Sequence, residues 1–599
     1  MEFRRGNVSE NAWRAACELL MMAELKWRAV FTLVWMVACL SLCSGRDVTM
    51  FSSIFGDDMI LQRDAKAAVY GQLGTGDTSV TVRVYQESAK YFENTLLYSV
   101  DAQVDIEART WKALLRPHNA TGGLLYRVEL ESSSGMKADI EHVLFGDVYV
   151  CVGQSNMAME LRYTFQKDNL LKDFKQGDFD DSLRMLLFAG GQDRFLQAKT
   201  PQYVSTFLPK SKRWLIPSES TRFLSTYAST CLYFAHSFVK RNKEASSAVP
   251  IAVVAGAIGG TRIEAWVDLE TTSKCTHTLA TASDSVVPAA SLYNGIISPM
   301  VNMTISGWLW YQGESNTVGE PGIGRERIGF GCQVVQLINK FRDIWSVVPG
   351  TTDELAYFGT VTLAAGTSLG HPGQVPRMRM AQSPRMGNVF VAQLYDAGEP
   401  WYSKKCQEAG CCPPSDFRGG TFTPAESCAH NPDWNASTID GDWYNSSVPV
   451  FLPQAWGLHP RNKKRVGDRL AALLFGLTSQ QEIISPYLED CSVNEKLVSL
   501  TIRNGIDKLV YTSNANLTVK NRALQVCSED LSICSCAKWN RINASAWECE
   551  KIVKKTAVKP PVEEPIDNPE SKGGVRKPVN NASVEEPIDN PESKGGVRK

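Results

Sequence analysis

From residue 146 onward, runs of β-forming residues alternate with runs of helical periodicity. DVYVCV at 147–152, VPIAVVAGAIGG at 249–260 and ISGWLWYQGESN at 305–316 have the composition of buried strands, and CQVVQLINKFRDIW at 332–345 has the periodicity of a helix. This alternation is typical of a parallel sheet with helices on both faces. The sequence therefore predicts an α/β domain over residues 146–482.

Segments of different texture flank this domain. Residues 46–145 contain short strand-like runs separated by polar and Gly-rich turns, which predicts an N-terminal β-sandwich. Residues 483–552 return to short strands, and we interpret them as a C-terminal β-rich, Cys-containing module. Residues 553–599 carry the sequence VEEPIDNPESKGGVRK twice, and its Pro, Gly and charge content predicts a disordered tail.

The N-terminal 45 residues resemble an export signal. A basic flank, KWR at 26–28, precedes the apolar run AVFTLVWMVACLSLC at 29–43, and small residues follow. The run is short for a membrane span, which needs ~20 apolar residues. We expect a secreted or lysosomal protein with no stable membrane insertion after signal cleavage, and an uncleaved signal anchor is the alternative. The formal net charge of −1 gives no reason to expect a nucleic-acid partner.

Cysteines and glycosylation sequons agree with export. Of sixteen cysteines, thirteen follow residue 45, and none has the paired CxxC spacing typical of zinc sites. We therefore expect disulfides and no metal. The odd number leaves one thiol free, and Cys151 in the strand DVYVCV is our candidate. A glycoprotein is predicted by sequons at Asn119, Asn302, Asn435, Asn445, Asn516, Asn543 and Asn581.

Three predicted strands end in unusual polar turns, VGQSN, AIGGTR and WYQGESN. In open parallel sheets the ligand site lies at the carboxyl ends of the strands. Ser155, in the first turn, can act as a nucleophile if a base accepts its proton. Of the seven histidines, His459 stands directly before Pro460 at the start of an amphipathic helix, and we predict that it is this base; a mere helix-entry residue is the alternative.

Together these motifs resemble the sialate O-acetylesterases, a family with an SGNH-type hydrolase core. The resemblance rests on GDVYVCVGQSNMAMEL, GGTRIEAW, LYNGIISPM, GWLWYQGESN and LHPRNKKRVGDRLA, in order along the chain. It implies hydrolysis of acetyl esters on sialic acid, a glycan substrate, and no metal or organic cofactor. Carried over to this sequence, it makes Ser155 the nucleophile, His459 the general base, and the Ser155 amide, Gly260 and Gln312 the oxyanion donors.

One departure concerns the acid that orients the histidine. Many related esterases carry an acid two or three residues before it, but here those positions are Gly457 and Trp456. Glu314 in QGESN is our first candidate for this acid, because it lies at a strand end beside the predicted oxyanion turn; a residue that only braces the turn is the alternative. Asp396 is the second, and a Ser–His dyad is the third possibility.

Two further motifs carry charged residues. Arg262, beside the Gly–Gly turn, is our candidate for binding the carboxylate of sialic acid, and a structural ion pair is the alternative. We interpret RNKKR at 461–465 as a solvated first helical turn. GTSLG at 366–370 fits the G-x-S-x-G pattern, but Pro372 and Pro376 follow, so Ser368 is a poor candidate for the nucleophile.

Two other functions remain open at this point. The same core serves esterases that deacetylate plant or microbial polysaccharide, so acetylated xylan is an alternative substrate. The missing acid before His459 also fits a secreted carbohydrate-binding protein whose esterase site has decayed.

Overall fold

A computed structural model describes most of the chain from residue 48 to residue 479 and two strand pairs beyond it. The described residues are 48–88, 94–120, 123–187, 199, 214–219, 221–247, 249–276, 287–317, 329–364, 374–394, 397, 458–479, 487–494, 497–503, 525–527 and 534–536.

The first eight strands are short and belong to antiparallel pairings, with one exception at β2. They are β1 (Met50–Phe51), β2 (Ile60–Gln62), β3 (Ala68–Gln72), β4 (Val80–Gln86), β5 (Thr95–Asp101), β6 (Gln103–Asp105), β7 (Thr110–Leu114) and β8 (Tyr126–Ser132). One sheet has the order β1-β3-β7-β6, and β4 lies between β5 and β8 in a second sheet. In β4 the buried valines alternate with Thr81 and Arg83, as expected for a strand with one face on the core. The sandwich arrangement of residues 46–145 stays a prediction.

A single long strand joins this N-terminal region to the α/β domain. β9 (Lys137–Gly153) pairs antiparallel with β8 in its first half, and its last seven residues pair parallel with a strand of the α/β domain. The predicted boundary between residues 145 and 146 therefore lies inside one continuous strand. Since β2 also pairs with Leu144–Gly146, the two regions share a sheet of ten strands.

The α/β part of this sheet is parallel. After β9 come β10 (Leu183–Leu187), β11 (Ile251–Ala257), β12 (Gly307–Tyr311), β13 (Tyr357–Val361) and β14 (Val389–Ala392). They lie in the order β10-β11-β9-β12-β13-β14, and every neighbouring pair is parallel. The predicted α/β class is confirmed as a large mixed sheet with helices. The order also makes the three strands with polar turns, β11, β9 and β12, immediate neighbours.

The helices are α1 (Ser155–Ala158), α2 (Lys167–Lys175), α3 (Thr221–Thr226), α4 (Ser229–Glu244), α5 (Leu269–Ser273), α6 (Ser298–Met300), α7 (Gly329–Trp345), α8 (Gln374–Ala381) and α9 (Lys463–Thr478). Short 3₁₀ turns cover Leu161–Tyr163, Ile263–Ala265 and Glu314–Thr317, and a π turn covers Tyr293–Ile297. Among the described residues, no helix has both the length and the apolar character needed to cross a membrane.

Side-chain alternation along β9 assigns helices to the two faces of the sheet. Val148, Val150 and Val152 are fully buried in one hydrophobic cluster, which also contains Leu337 and Phe341 of α7. Tyr149 and Cys151 point into a second cluster with apolar residues of α4 and α9. Because both faces of β9 are covered, the strand is a continuous apolar run rather than an alternating one.

Beyond α9, the described strands form two antiparallel pairs. β15 (Tyr487–Asn494) pairs with β16 (Leu497–Arg503), and β17 (Gln525–Cys527) pairs with β18 (Cys534–Cys536). The C-terminal module predicted over 483–552 stays a prediction, and the repeat over 553–599 lies outside the described residues.

Within the described residues, two disulfides cross-link the α/β domain. Cys151 of β9 is bonded to Cys231 of α4, and Cys275 is bonded to Cys332 of α7. The expectation that Cys151 is a free thiol was wrong. Its side chain points toward the helix face, where packing brings Cys231 to a Cα–Cα distance of 6.0 Å across eighty residues of sequence.

We predict that the double substitution Cys151→Ala/Cys231→Ala lowers the free energy of unfolding by about 2–4 kcal/mol, because it frees a long loop in the unfolded chain. Urea unfolding followed by circular dichroism measures this difference. Wild-type protein unfolded under reducing conditions is the control and should lose a similar amount or more. Equal stability of oxidised wild type and variant would contradict the structural role of this bond.

Candidate active site

The three polar turns meet at the carboxyl edge of the sheet. Gly153 ends β9 with φ +141, and a Cβ atom on it would lie 2.2 Å from the carbonyl oxygen of Tyr311. Only glycine fits there, since the backbone has to pass close to β12 before turning into α1. Ser155 is the first residue of α1 and is therefore presented directly above the middle strand of the three.

The structure brings Ser155 and His459 together. The distance from Ser155 Oγ to His459 Nε2 is 2.7 Å, although 304 residues separate the two in sequence. Both side chains are buried, with 4% and 6% of their surface exposed. A hydroxyl at hydrogen-bond distance from an imidazole nitrogen is the arrangement in which a serine can be activated.

The imidazole of His459 is held in its neutral form. Burial lowers its pKa, the positive charge of Lys463 adds to the effect, and the pKa comes to about 3. At neutral pH the ring therefore has a nitrogen lone pair that can accept a proton.

A Gly–Gly turn passes beside the serine. A Cβ atom on Gly259 would lie 3.4 Å from the Cβ of Ser155, while a Cβ atom on Gly260 would meet no atom within 4 Å. Gly260 has φ +73, the left-handed conformation that favours glycine. The turn is fixed from outside, because Gln312 Nε2 donates to the Thr261 carbonyl at 3.0 Å.

Gln312 is predicted to donate a hydrogen bond to an oxyanion, but its side-chain nitrogen contacts acceptors of the protein instead. Its side-chain nitrogen lies 3.0 Å from Gln154 Oε1, 3.0 Å from the Thr261 carbonyl and 2.8 Å from Asn316 Oδ1. Both amide hydrogens are therefore used inside the protein. The side chain fastens the three turns to one another, and this use is at odds with donation to a substrate.

Amide side chains that the sequence analysis did not select complete this framework. Gln154 Oε1 accepts from Gln312 Nε2 and from the backbone amides of Gly313 and Ser315. Asn316 Oδ1 accepts from the Ile263 amide at 3.0 Å. These residues stand inside the same motifs as the predicted site residues, so polar side chains at strand ends were the available signal.

Glu314 is fully buried, but its contact differs from the one predicted. Its Oε1 accepts a hydrogen bond from Asn156 Nδ2, and within the described part of the chain no hydrogen bond joins it to His459. Burial raises the pKa of Glu314 to about 7, against the opposing effects of hydrogen bonds and of Lys463. The carboxyl group thus reaches the histidine segment only through Asn156, which also donates to the Leu458 carbonyl at 2.9 Å.

The interpretation of RNKKR as a solvated turn was wrong. Arg461 has 1% and Lys463 0% of its surface exposed. Lys463 Nζ lies 2.5 Å from Asn156 Oδ1 and 5.2 Å from the centre of the Tyr311 ring. Arg461 packs over the ring of Phe165 at 4.6 Å. The helix start is buried because it lies over the carboxyl edge of the sheet, where a cation meets polar groups.

Arg262 is half-buried two residues after Gly260. Its Nη1 atom is buried and has no hydrogen-bond partner in the described structure. A guanidinium in this state can form charge-assisted bonds with an anionic ligand at small rearrangement cost.

Two other sequence candidates, Asp396 and Ser368, lie outside the described residues. Among the residues that the structure does describe, no group of His, Cys, Asp or Glu side chains is arranged to hold a metal ion.

Comparisons with known proteins agree with the predicted resemblance. The family described as "Carbohydrate esterase, sialic acid-specific acetylesterase" matches residues 145–345, a segment that contains Ser155 and Glu314 but not His459. The sialate O-acetylesterases of Pongo abelii and Homo sapiens are each 27% identical to this chain over 366 residues, covering 58% of this chain and 65% of the relative. The match thus spans less than two thirds of those relatives. The resemblance to the sialate O-acetylesterases is confirmed.

A solved structure supports the fold. A carbohydrate acetylesterase from Xanthomonas citri aligns with a TM-score of 0.52 and 20% identity, covering 76% of this chain and 82% of the other. At that identity the likeness shows the fold alone.

The raised pKa of Glu314 predicts a pH-dependent stability. Between its usual value of 4.5 and about 7, the folded carboxyl group keeps a proton that the unfolded chain has lost, so stability falls as pH rises through this window. Glu314→Gln keeps the shape and removes the titration. We expect the free energy of unfolding of this variant, relative to that of wild type, to increase from pH 5 to pH 8. Each unit by which the pKa of Glu314 in the folded chain exceeds that in the unfolded chain contributes about 1.4 kcal/mol.

Thermal or urea unfolding at several pH values measures this difference. Glu107→Gln, at an exposed position in the turn between β6 and β7, is the control. A Glu314→Gln difference that stays constant over the pH range would contradict the raised pKa.

Proposed function

We propose that this chain, whose residues 145–345 match the family model of sialic acid-specific acetylesterases, is a serine esterase that removes acetyl groups from sugar hydroxyls. The observation that carries the proposal is the 2.7 Å contact between Ser155 Oγ and His459 Nε2. It supports the assignment of Ser155 as nucleophile and His459 as neutral base, at the carboxyl edge of a parallel sheet and beside a glycine turn.

In the first half of the reaction, Ser155 Oγ attacks the acetyl carbonyl carbon and its proton passes to His459 Nε2. The carbonyl π electrons move onto oxygen, and we assign the backbone amides of Ser155 and Gly260 as donors to this oxyanion. When the carbonyl re-forms, the bond to the sugar oxygen breaks. That oxygen takes the proton from His459, which leaves a free sugar hydroxyl and an acetylated Ser155.

In the second half, a water molecule replaces the sugar. It gives a proton to His459 as its oxygen adds to the acetyl carbon, and the second tetrahedral intermediate collapses to release acetic acid. Ser155 Oγ recovers the proton from His459. The lowered pKa of His459 keeps the ring neutral before each attack, the form that has a free lone pair for the proton.

We infer that the preferred substrate is an acetylated sialic acid. Arg262 supports this choice over acetylated xylan, because a neutral polysaccharide offers no anion to the buried and unpartnered Nη1 atom, whereas sialic acid carries a carboxylate. The relatives are named sialate O-acetylesterases, which agrees with this choice. We also propose passage through the secretory pathway, to the lysosome or outside the cell, since buried disulfides form in oxidising compartments.

We predict that Ser155→Ala lowers acetate release from an acetylated sialic acid at least about 1,000-fold, because covalent catalysis is lost. A coupled acetate assay measures the rate. Thr49→Val, which removes a buried hydrogen bond to Asp77 in the N-terminal region, is the control and should retain activity. A wild-type rate no higher than that of Ser155→Ala would favour the decayed, carbohydrate-binding alternative.

We predict that Arg262→Gln raises KM for acetylated sialic acid about 10- to 100-fold, the cost of losing a charged hydrogen-bond donor. Hydrolysis of a neutral chromogenic acetate should change less than threefold under the same conditions (~0.6 kcal/mol). Arg116→Gln, over the ring of Tyr98, is the matched control. Equal losses with both substrates, or a wild-type preference for acetylated xylan, would contradict the role of Arg262.

A further inference from the structure

The residue after the nucleophile contacts three separate parts of the site. Asn156 is fully buried, and its side-chain nitrogen donates to Glu314 Oε1 and to the Leu458 carbonyl, the latter at 2.9 Å. Its side-chain oxygen accepts from Lys463 Nζ at 2.5 Å. Its backbone carbonyl accepts from Thr230 Oγ1 of α4 at 3.1 Å.

We propose that Asn156 is a positioning residue for the Ser155–His459 pair: it holds the backbone of the histidine segment through Leu458 and so fixes the base against the nucleophile. The inference rests on the proposed function. It accounts for a site in which the position three residues before the histidine is Trp456 rather than an acid.

The two charged neighbours determine which way the Asn156 amide points. A carboxyl group on one side accepts from the amide nitrogen, and an ammonium group on the other side donates to the amide oxygen. Rotating the amide by half a turn would bring nitrogen against Lys463 Nζ and oxygen against Glu314. Because all three groups are buried, such a mismatch is costly, and the amide hydrogens stay directed at Glu314 and Leu458.

The chain connectivity makes this hydrogen bond effective. Asn156 adjoins Ser155, and Leu458 adjoins His459, so one side chain joins the two backbone segments that carry the reacting groups. The partners are 302 residues apart in sequence. A misplacement of about 1 Å in such a pair can lower the rate about 100-fold.

The test separates the hydrogen bond to Leu458 from the stability of the buried cluster. Asn156→Asp keeps the shape and the acceptor for Lys463, but it has no donor for Leu458 and sets two carboxyl groups against each other. In the double variant Asn156→Asp/Glu314→Gln, the glutamine at position 314 can donate to the aspartate at position 156. The Leu458 carbonyl still lacks its donor. Thr49→Val is the control for a lost buried hydrogen bond far from the site.

We expect Asn156→Asp to lower kcat about 10- to 100-fold with KM changed less than threefold, and to lower the melting temperature. The double variant should regain thermal stability and remain slow. Recovery of wild-type kcat in the double variant, or an unchanged kcat in Asn156→Asp, would overturn the proposal, since Asn156 would then serve stability alone. If Asn156→Asp does not fold, the double variant decides.

A second readout does not depend on the sugar substrate. A fluorophosphonate reacts with activated serines, and its rate of attachment to Ser155 should fall in parallel with kcat in both variants. Labelling of wild type without acetate release would overturn the proposed substrate class and leave the role of Asn156 to be decided by the labelling rates. Absence of labelling at Ser155 in wild type would overturn both.

Discussion

Parallel pairing of β9 with β11 and β12 brings together the three turns that carry Ser155, Gly260 and Glu314. The register aligns the ends of these strands, with Gly153 opposite both Ala257 and Tyr311, so that three polar turns leave the sheet at one level. The serine turn lies between the glycine turn and the QGESN turn. The pairing in turn depends on β9 being apolar on both faces, since α4 and α9 cover one side and α7 the other.

The turns are then joined by neutral amide side chains rather than by ion pairs. Gln312 donates to Gln154 Oε1 and to Asn316 Oδ1, these two oxygens also accept from the backbone amides of Gly313 and Ile263, and Gln382 donates to the Gln312 carbonyl at 2.7 Å. An amide has donors and an acceptor on a short, rigid group, so it satisfies buried backbone atoms on both sides without the desolvation cost of a charge. Such a framework keeps the turns rigid and leaves the site's electrostatics to a few ionisable groups.

Those few groups are buried, and burial determines their chemistry. Desolvation lowers the pKa of His459, which keeps the ring neutral, and raises the pKa of Glu314 to about 7. At Lys463, the Asn156 oxygen and the Tyr311 ring offset the cost of burying the positive charge. A neutral imidazole beside a hydroxyl suits proton transfer from the serine, and the oxyanion is then left to backbone amides. In our proposal, hydrogen bonding through Asn156 fixes the base in place.

Much of this was readable in the sequence, because it depends on local patterns. The apolar run before Ser155, the strand–helix alternation and the three strand-end turns predicted an α/β sheet and a site at its carboxyl edge, and His459 stood out by its place before a late helix. The strand continuous across residue 145, the Cys151–Cys231 bond, the buried Lys463 and the contacts of Gln312, Glu314 and Asn156 were not predicted. Each of these depends on which distant side chain packing brings within hydrogen-bond or covalent reach. Periodicity tells which face of a strand or helix is buried, but only the tertiary structure decides what that face meets.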